Sequence, residues 1–152
     1  MRFMTSVLFV CVHNSARSQI AEAWTRHLCG SQLDPTSAGV EPGNLNPLAL
    51  EVMREVSIDI SDKRTQSVFE LFRSGRLFAY VVTVCDEIAA ERCPVFPGVT
   101  QRLHWSFADP ASFEGSWDEK MARTRIVRDQ IRAKVEELCA TICSAAAQAA
   151  HE

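Results

Sequence analysis

Apolar and polar positions alternate with two periods along this chain, and the changes from one period to the other mark out its elements. Ser6-Val7-Leu8-Phe9-Val10 is an apolar, β-branched run and reads as a buried strand. Further on, Ile20, Trp24 and Leu28 recur four apart, one face of a helix over Gln19 to Leu28 with Gly30 as its C-cap. Asp34-Pro35-Thr36-Ser37-Ala38-Gly39 reads as a second strand running into a loop marked by Pro42, Gly43 and Asn44. Asn46 caps the next helix, with Pro47 at its first position and Leu50, Met53 and Val56 as its apolar stripe. Ile58 to Ser61 reads as a short extended piece, and Val68, Leu71 and Phe72 as a small helix stopped by Gly75. Phe78 to Val84 is the most strand-like stretch, and Gln101 to His104 predicts a last strand. Between them the prolines and glycine of Cys93-Pro94-Val95-Phe96-Pro97-Gly98 predict a loop. From about Trp117 a long helix begins, with Val127, Ile131, Val135, Leu138 and Ile142 at spacings of 4, 4, 3 and 4. Carried to Ala150 it would be about 50 Å long, against a radius of gyration of about 15 Å for a domain of this size. The Ala-rich end, from about 144 to 152, is therefore expected to project or fray.

Strands alternating with helices predict an α/β fold: one domain over residues 1–152, built on a parallel four-stranded sheet with helices on both faces. In such sheets ligands bind outside the carboxyl ends of the strands. Cys11 follows the first strand there and Cys85 follows another. At 152 residues the chain can bury a sizeable core without disulfide staples. Its net charge of −3, with no basic run, gives no expectation of a nucleic acid or membrane partner. No stretch approaches the ~20 apolar residues of a membrane span. The run from Val7 to Val12 is too short for a signal peptide and lacks a cleavage site. A cytoplasmic location is expected, with the six cysteines as reduced thiols.

The candidate chemistry sits in Cys11-Val12-His13-Asn14-Ser15-Ala16-Arg17-Ser18, between the first strand and the first helix. Residues 12 to 16 can curl into a ring whose backbone N–H groups point inward at a helix N-terminus, an arrangement that binds an anion. Arg17 adds a planar fork of donors, and Ser18 can donate to the Cys11 sulfur. The field that holds the anion also favours a thiolate at Cys11, the nucleophilic form. The alternative is a buried apolar cysteine in a βα turn.

Cys85 and Cys93 are eight positions apart, too far for the usual zinc spacing. They are either a redox pair around a mobile loop or two unrelated thiols. Asp109-Pro110 is either a turn or the source of an acid that protonates a leaving oxygen. His13 reads as a polar residue pointing outward, and His104 as packing beside Trp105. Cys29 reads as a core thiol, Cys139 and Cys143 as surface or core thiols, and Trp24, Trp105 and Trp117 as core or interface residues.

Cys11 to Glu22, Ser37-Ala38-Gly39, Val81 to Asp86, Cys93-Pro94 and His104 to Ala111 together resemble the thioredoxin-coupled arsenate reductases. These share the low-molecular-weight protein tyrosine phosphatase fold (phosphotyrosine protein phosphatase I). The loop motif alone is shared with the phosphatases, whereas the two later cysteines and the His-Trp…Asp-Pro segment belong to the reductases. The resemblance implies that arsenate binds in the ring of Val12, His13, Asn14, Ser15, Ala16, Arg17 and Ser18, with Asn14 holding its shape. It implies Cys11 as nucleophile and Asp109 as acid, then a Cys11–Cys85 disulfide, then a Cys85–Cys93 disulfide reduced by thioredoxin or a similar thiol. No bound cofactor and no metal are implied. Some relatives bind potassium through an Asn, a Glu, a Ser and an Asp. Asn14, Glu22 and Ser37 match the first three, but Lys63-Arg64-Thr65-Gln66-Ser67 offers no Asp, and Lys63 or Arg64 is there to supply positive charge instead. His13 and Ala16 stand where Gly and Cys are common. Seven residues rather than six separate Cys85 from Cys93.

Two rival functions share these residues. One is a phosphatase acting on phosphotyrosine or another phosphate monoester, although Ala111 and Ser112 follow Pro110 where phosphatases carry aromatic residues. The other is a non-enzymatic thiol sensor or oxyanion-binding module. Finally, Cys85 must reach Cys11 in one state and Cys93 in another, so the segment from Cys85 to Pro97 is expected to be buried when reduced and rearranged once oxidised.

Overall fold

In the computed structural model, which describes residues 4–98 and 101–150, the first apolar run forms β1 (Thr5–Cys11) at the heart of the sheet. Its side chains alternate between two buried clusters. Val7, Phe9 and Cys11 enter the larger one, and Leu8 and Val10 the smaller. A strand apolar on both sides must be covered on both sides. Helix α1 (Arg17–Cys29) covers the first face through Ile20 and Trp24, together with α2 (Pro47–Arg54) and α5 (Trp117–Ala150). Helix α3 (Val68–Arg73) covers the second through Val68 and Leu71. The sheet is parallel throughout, in the order β2 (Leu33–Gly39), β1, β3 (Tyr80–Thr83), β4 (Gln101–His104).

The chain leaves β1 to one side for β2 and returns on the other side for β3. The strand order therefore reverses between β1 and β3, which opens a crevice at their carboxyl ends. Cys11 is the last residue of β1, and Val84, hydrogen-bonded to the Val10 carbonyl at 2.8 Å, delivers Cys85 beside it.

Local signals act as expected at α2, where the Asn46 side chain accepts from the Leu48 N–H at 2.9 Å and Pro47 opens the helix. Elsewhere the structure adds detail to the sequence reading. Ile58 to Ile60 is outside the regular elements and Ser61 begins a turn. The segment after Cys85 contains a helix, α4 (Glu87–Glu91), started by the Asp86 carboxylate on the Ala89 N–H at 2.8 Å. Helix α5 holds its form as far as Ala150, and residues 151–152 lie outside the described residues. Trp24 is in the core, whereas Trp117 is half exposed.

The reading of all six cysteines as reduced thiols is corrected at one pair. Cys29, at the end of α1, is disulfide-bonded to Cys139 of α5, with their Cα atoms 6.3 Å apart. The two are 110 residues apart in sequence, and only the packing of α1 on α5 brings them together. Cys11, Cys85, Cys93 and Cys143 are free, and the Cys143 thiol donates to the Gln32 side-chain oxygen. A bond closing so long a loop restricts the unfolded chain strongly. Cys139→Ser is expected to lower stability by about 2–4 kcal/mol, read as an earlier urea midpoint; an unchanged midpoint would show that the tie contributes nothing.

Candidate active site

Between the end of β1 and the start of α1 the chain turns in five residues, and its carbonyls are turned outward. Those of Cys11, Val12, His13 and Ser15 accept from the N–H groups of Val40, Glu41, Gly43 and Asn46 at 2.8–3.2 Å. With the carbonyls engaged by the 40–46 loop, the N–H groups are left for the inside of the ring, as anion binding requires. Asn14 makes this possible by taking a φ of +56°, a conformation Asn tolerates better than most residues. Gly39 allows the close approach: a Cβ there would lie 2.6 Å from the Val12 carbonyl oxygen and 2.8 Å from the Asn14 nitrogen.

The Asn14 side chain is buried and its orientation is fixed. Its Oδ1 accepts from the Gln66 backbone N–H at 3.0 Å and from Gln19 Nε2 at 3.3 Å. Its Nδ2 must therefore donate to Ser18 Oγ, 2.7 Å away. Ser18 Oγ lies 2.8 Å from Cys11 Sγ and can give its own hydroxyl proton to a thiolate there. The Asn14 N–H adds a second bond to the same sulfur at 3.2 Å. A thiolate at Cys11 would have both groups within donating distance. Gln19, Gln66 and Gly39 were not among the site residues expected from sequence. A lone Gln carries no signal until the fold sets its partner, whereas a Gly ending a strand is a recognisable mark of close backbone approach.

Arg17 is nearly buried, and its NH1 donates to the Phe107 carbonyl at 3.3 Å. Its NH2 lies 3.4 Å from Asp109 Oδ2. The guanidinium and the Asp109 carboxylate therefore share the mouth of the ring. Asp109 serves the turn as well, since its Oδ1 accepts from the Ala111 N–H at 3.0 Å and starts the short 3-10 turn Pro110–Ser112. Asp109→Asn keeps an oxygen for that cap and removes only the acid. If Asp109 protonates a leaving oxygen, the variant is expected to slow the first chemical step by about 10²–10⁴-fold while oxyanion binding changes little. A normal single-turnover rate would leave Asp109 as a turn residue.

Cys85 is 1% exposed and packs in the same cluster as Cys11. Burial pushes its thiol up to about 11, the nearby Cys11 adds to this, and Arg17 pulls the other way. Cys93 is also buried, but in the other cluster, with Phe78, Val81 and Phe96. Burial pushes it up to about 11 as well. Both are free thiols in the two buried clusters on opposite sides of the sheet, while Asp86, Glu87, Glu91, Arg92, Val95 and Pro97 of the same segment are exposed.

His13 is exposed, as expected, and its ring bonds to the Glu41 carbonyl at 2.8 Å. His104, expected to pack beside Trp105, instead hydrogen-bonds Thr83 Oγ1 at 2.7 Å and Ser106 Oγ at 3.1 Å. Glu22, buried behind the ring, has both oxygens engaged. Oε1 accepts from Ser37 at 3.1 Å, and Oε2 meets Lys63 Nζ at 3.1 Å and Arg26 NH1 at 3.0 Å. Lys63, and not Arg64, supplies the positive charge. With two cations already on Glu22, and with Asn14 Oδ1 taken by Gln66, these residues do not fit a potassium ion. Among the described residues no helix is long and apolar enough to cross a membrane.

Comparison with known proteins agrees with this geometry. The family model for low molecular weight phosphotyrosine protein phosphatase matches residues 6–148. The arsenate reductase of Halalkalibacterium halodurans is 40% identical over 136 residues, which cover 89% of this chain and 95% of that protein. The solved structure of a Corynebacterium glutamicum thioredoxin-dependent arsenate reductase matches with a TM-score of 0.73 at 30% identity over 93% of this chain, which spans only 63% of that one. A solved arsenate reductase in its phosphate-binding state matches with a TM-score of 0.72 at 32% identity, over 91% of this chain and 99% of its own.

Proposed function

We propose that this chain, which belongs to the low molecular weight phosphotyrosine protein phosphatase family, is an arsenate reductase that converts arsenate to arsenite. Arsenate binds to the inward N–H groups of residues 12 to 18 and to the Arg17 fork. The Cys11 thiolate attacks arsenic, and a hydroxyl leaves as water with a proton from Asp109. Cys85 then attacks Cys11 Sγ. A Cys11–Cys85 bond forms, the electron pair of the sulfur–arsenic bond goes to arsenic, and arsenite departs. Two thiols have lost the two electrons that arsenic gains. Cys93 attacks Cys85 in turn, which frees Cys11 as thiolate, and thioredoxin or a similar dithiol reduces the Cys85–Cys93 bond. The cytoplasm, where such reductants are maintained, is the proposed site of action.

The observation that carries this reading is the free, buried Cys85 set beside Cys11 at the crevice between β1 and β3. A phosphatase needs only Cys11, Arg17 and Asp109, and has no use for a second thiol there. Phosphate-ester hydrolysis remains open to the same three residues as a side activity. Ala111 and Ser112, however, offer no aromatic grip for a phosphotyrosine ring. The test is arsenate-dependent NADPH oxidation with thioredoxin and thioredoxin reductase, run beside hydrolysis of a small aryl phosphate. Arsenate-dependent oxidation is expected. Hydrolysis without it would give the chain to the phosphatases.

A further inference from the structure

Cys93 has to become a thiolate to attack Cys85, yet its surroundings favour the thiol. It is 5% exposed, lies among Phe78, Val81 and Phe96, and its S–H donates to the Pro94 carbonyl at 3.6 Å. The basic residue next to it in sequence gives no help, because Arg92 is drawn to Glu41 at 2.8 Å. The cavity that Cys93 borders offers another. Its volume is about 420 Å³, and it is also lined by Thr83, Glu91, Arg102 and His104. Arg102 of β4 is in register with Val81 of β3. Residues paired across a parallel ladder point to the same face, and Val81 is on the Cys93 face. Leu103, one residue on, packs against the other cluster.

We propose that Arg102 is a positioning residue for the reduction, placing a fixed positive charge on the cavity that Cys93 borders, to favour the Cys93 thiolate for the attack on Cys85. The inference rests on the arsenate reductase reading, in which Cys93 is the thiol that resolves the Cys11–Cys85 bond. In this step the Cys93 proton leaves to solvent through the cavity. The Cys85–Cys93 bond forms as the Cys11–Cys85 bond breaks, and the electron pair departs on Cys11 Sγ, into the ring's donors. No outside oxidant is required. Of the titratable groups facing the cavity, Arg102 is the one that acts against burial at Cys93. Glu91 of α4 carries the opposite sign, and the His104 ring is held between Thr83 and Ser106.

The experiment compares the wild type with Arg102→Met, which keeps the stem and removes the charge, and with Arg102→Lys. Each reduced protein, carrying cysteine enriched with carbon-13 at Cβ, is titrated from about pH 7 to about pH 11.5, and the Cys93 Cβ signal reports its thiolate fraction in place. Well below its pKa a thiol's thiolate fraction changes tenfold per pH unit, so a displacement of half a unit to one unit is about a three- to tenfold change. Arg102→Met is expected to lower the Cys93 thiolate fraction at a given pH by about that factor and to move the profile to higher pH. Arg102→Lys should restore the wild-type profile. Superimposable profiles for the wild type and Arg102→Met would overturn the proposal. A parallel mapping of the wild type after one arsenate turnover separates the two failures. If Cys85–Cys93 forms but the profiles coincide, only Arg102 loses its role. If no Cys85–Cys93 bond forms, the reductase reading fails and this proposal falls with it.

Discussion

Cys11→Ser is expected to abolish arsenate reduction and phosphate-ester hydrolysis together, by on the order of 10⁵–10⁶-fold, the scale seen when an enzyme loses its nucleophile. The substitution isolates the chemistry from the architecture. A Ser oxygen at this position can still accept from the Asn14 N–H and from Ser18, which now bond the sulfur at 3.2 and 2.8 Å. The ring's outward carbonyls stay tied to the 40–46 loop, and Arg17 stays beside Asp109. What disappears is a thiolate. A hydroxyl surrounded only by donors has no base to take its proton, so it cannot become the attacking species. Calorimetry should therefore find phosphate and arsenate still bound, within about threefold of wild type, by a protein that does not turn over. Activity within tenfold of wild type would remove Cys11 from the role of nucleophile.

The second large effect separates Cys85 from Cys93. Both Cys85→Ser and Cys93→Ser are expected to stop multiple turnover with arsenate, while hydrolysis of an aryl phosphate persists in each. A single turnover distinguishes them. Without Cys93 the enzyme still forms the Cys11–Cys85 bond, so one equivalent of arsenite should be released per enzyme and a protein two mass units lighter should accumulate. Without Cys85 the arsenic has no second thiol to drive it off, and no arsenite should appear. The buried Cys85 thiol, pushed up to about 11 with Arg17 as the opposing charge, gives the release a pH dependence. Thiolate is scarce at neutral pH, so the rate in Cys93→Ser should climb as pH rises towards that value. Multiple turnover in both variants would end the reductase reading.

Much of this was legible in the sequence because it is local. The β1 run and the Asn46-Pro47 helix start depend on residues within about one turn of each other, and Cys11, Arg17 and Ser18 stand together in eight consecutive residues, although the loop's shape is held by Gly39, residues 40–46 and Gln66. The resemblance added the order of the thiol steps, which spacing alone left open. What the sequence did not disclose is long-range. Cys29 and Cys139 meet only because α1 packs on α5. Gln66 reaches Asn14 from 52 residues away, and Lys63 finds Glu22 across the same seam. Helix α4 was missed because prolines and a glycine dominate the segment that follows it. The Asp86 cap and two alanines are enough to form a single turn ahead of them.

The seat of Cys93 also bears on how the enzyme survives when it has nothing to do. The Phe96 ring is wedged edge-on against Phe72 and Phe78, with centroids 5.5 and 5.4 Å away. Withdrawing one such ring costs about 2 kcal/mol, so the undocked segment is present in only a few per cent of molecules at rest. A stray peroxide or disulfide therefore rarely meets Cys85 and Cys93 side by side, and seldom joins them before any arsenate has arrived. The aromatic wedge acts as a safety catch: it keeps the idle enzyme charged with reducing equivalents, and at about 2 kcal/mol it is small enough for the segment to be freed when the Cys11–Cys85 bond calls for Cys93.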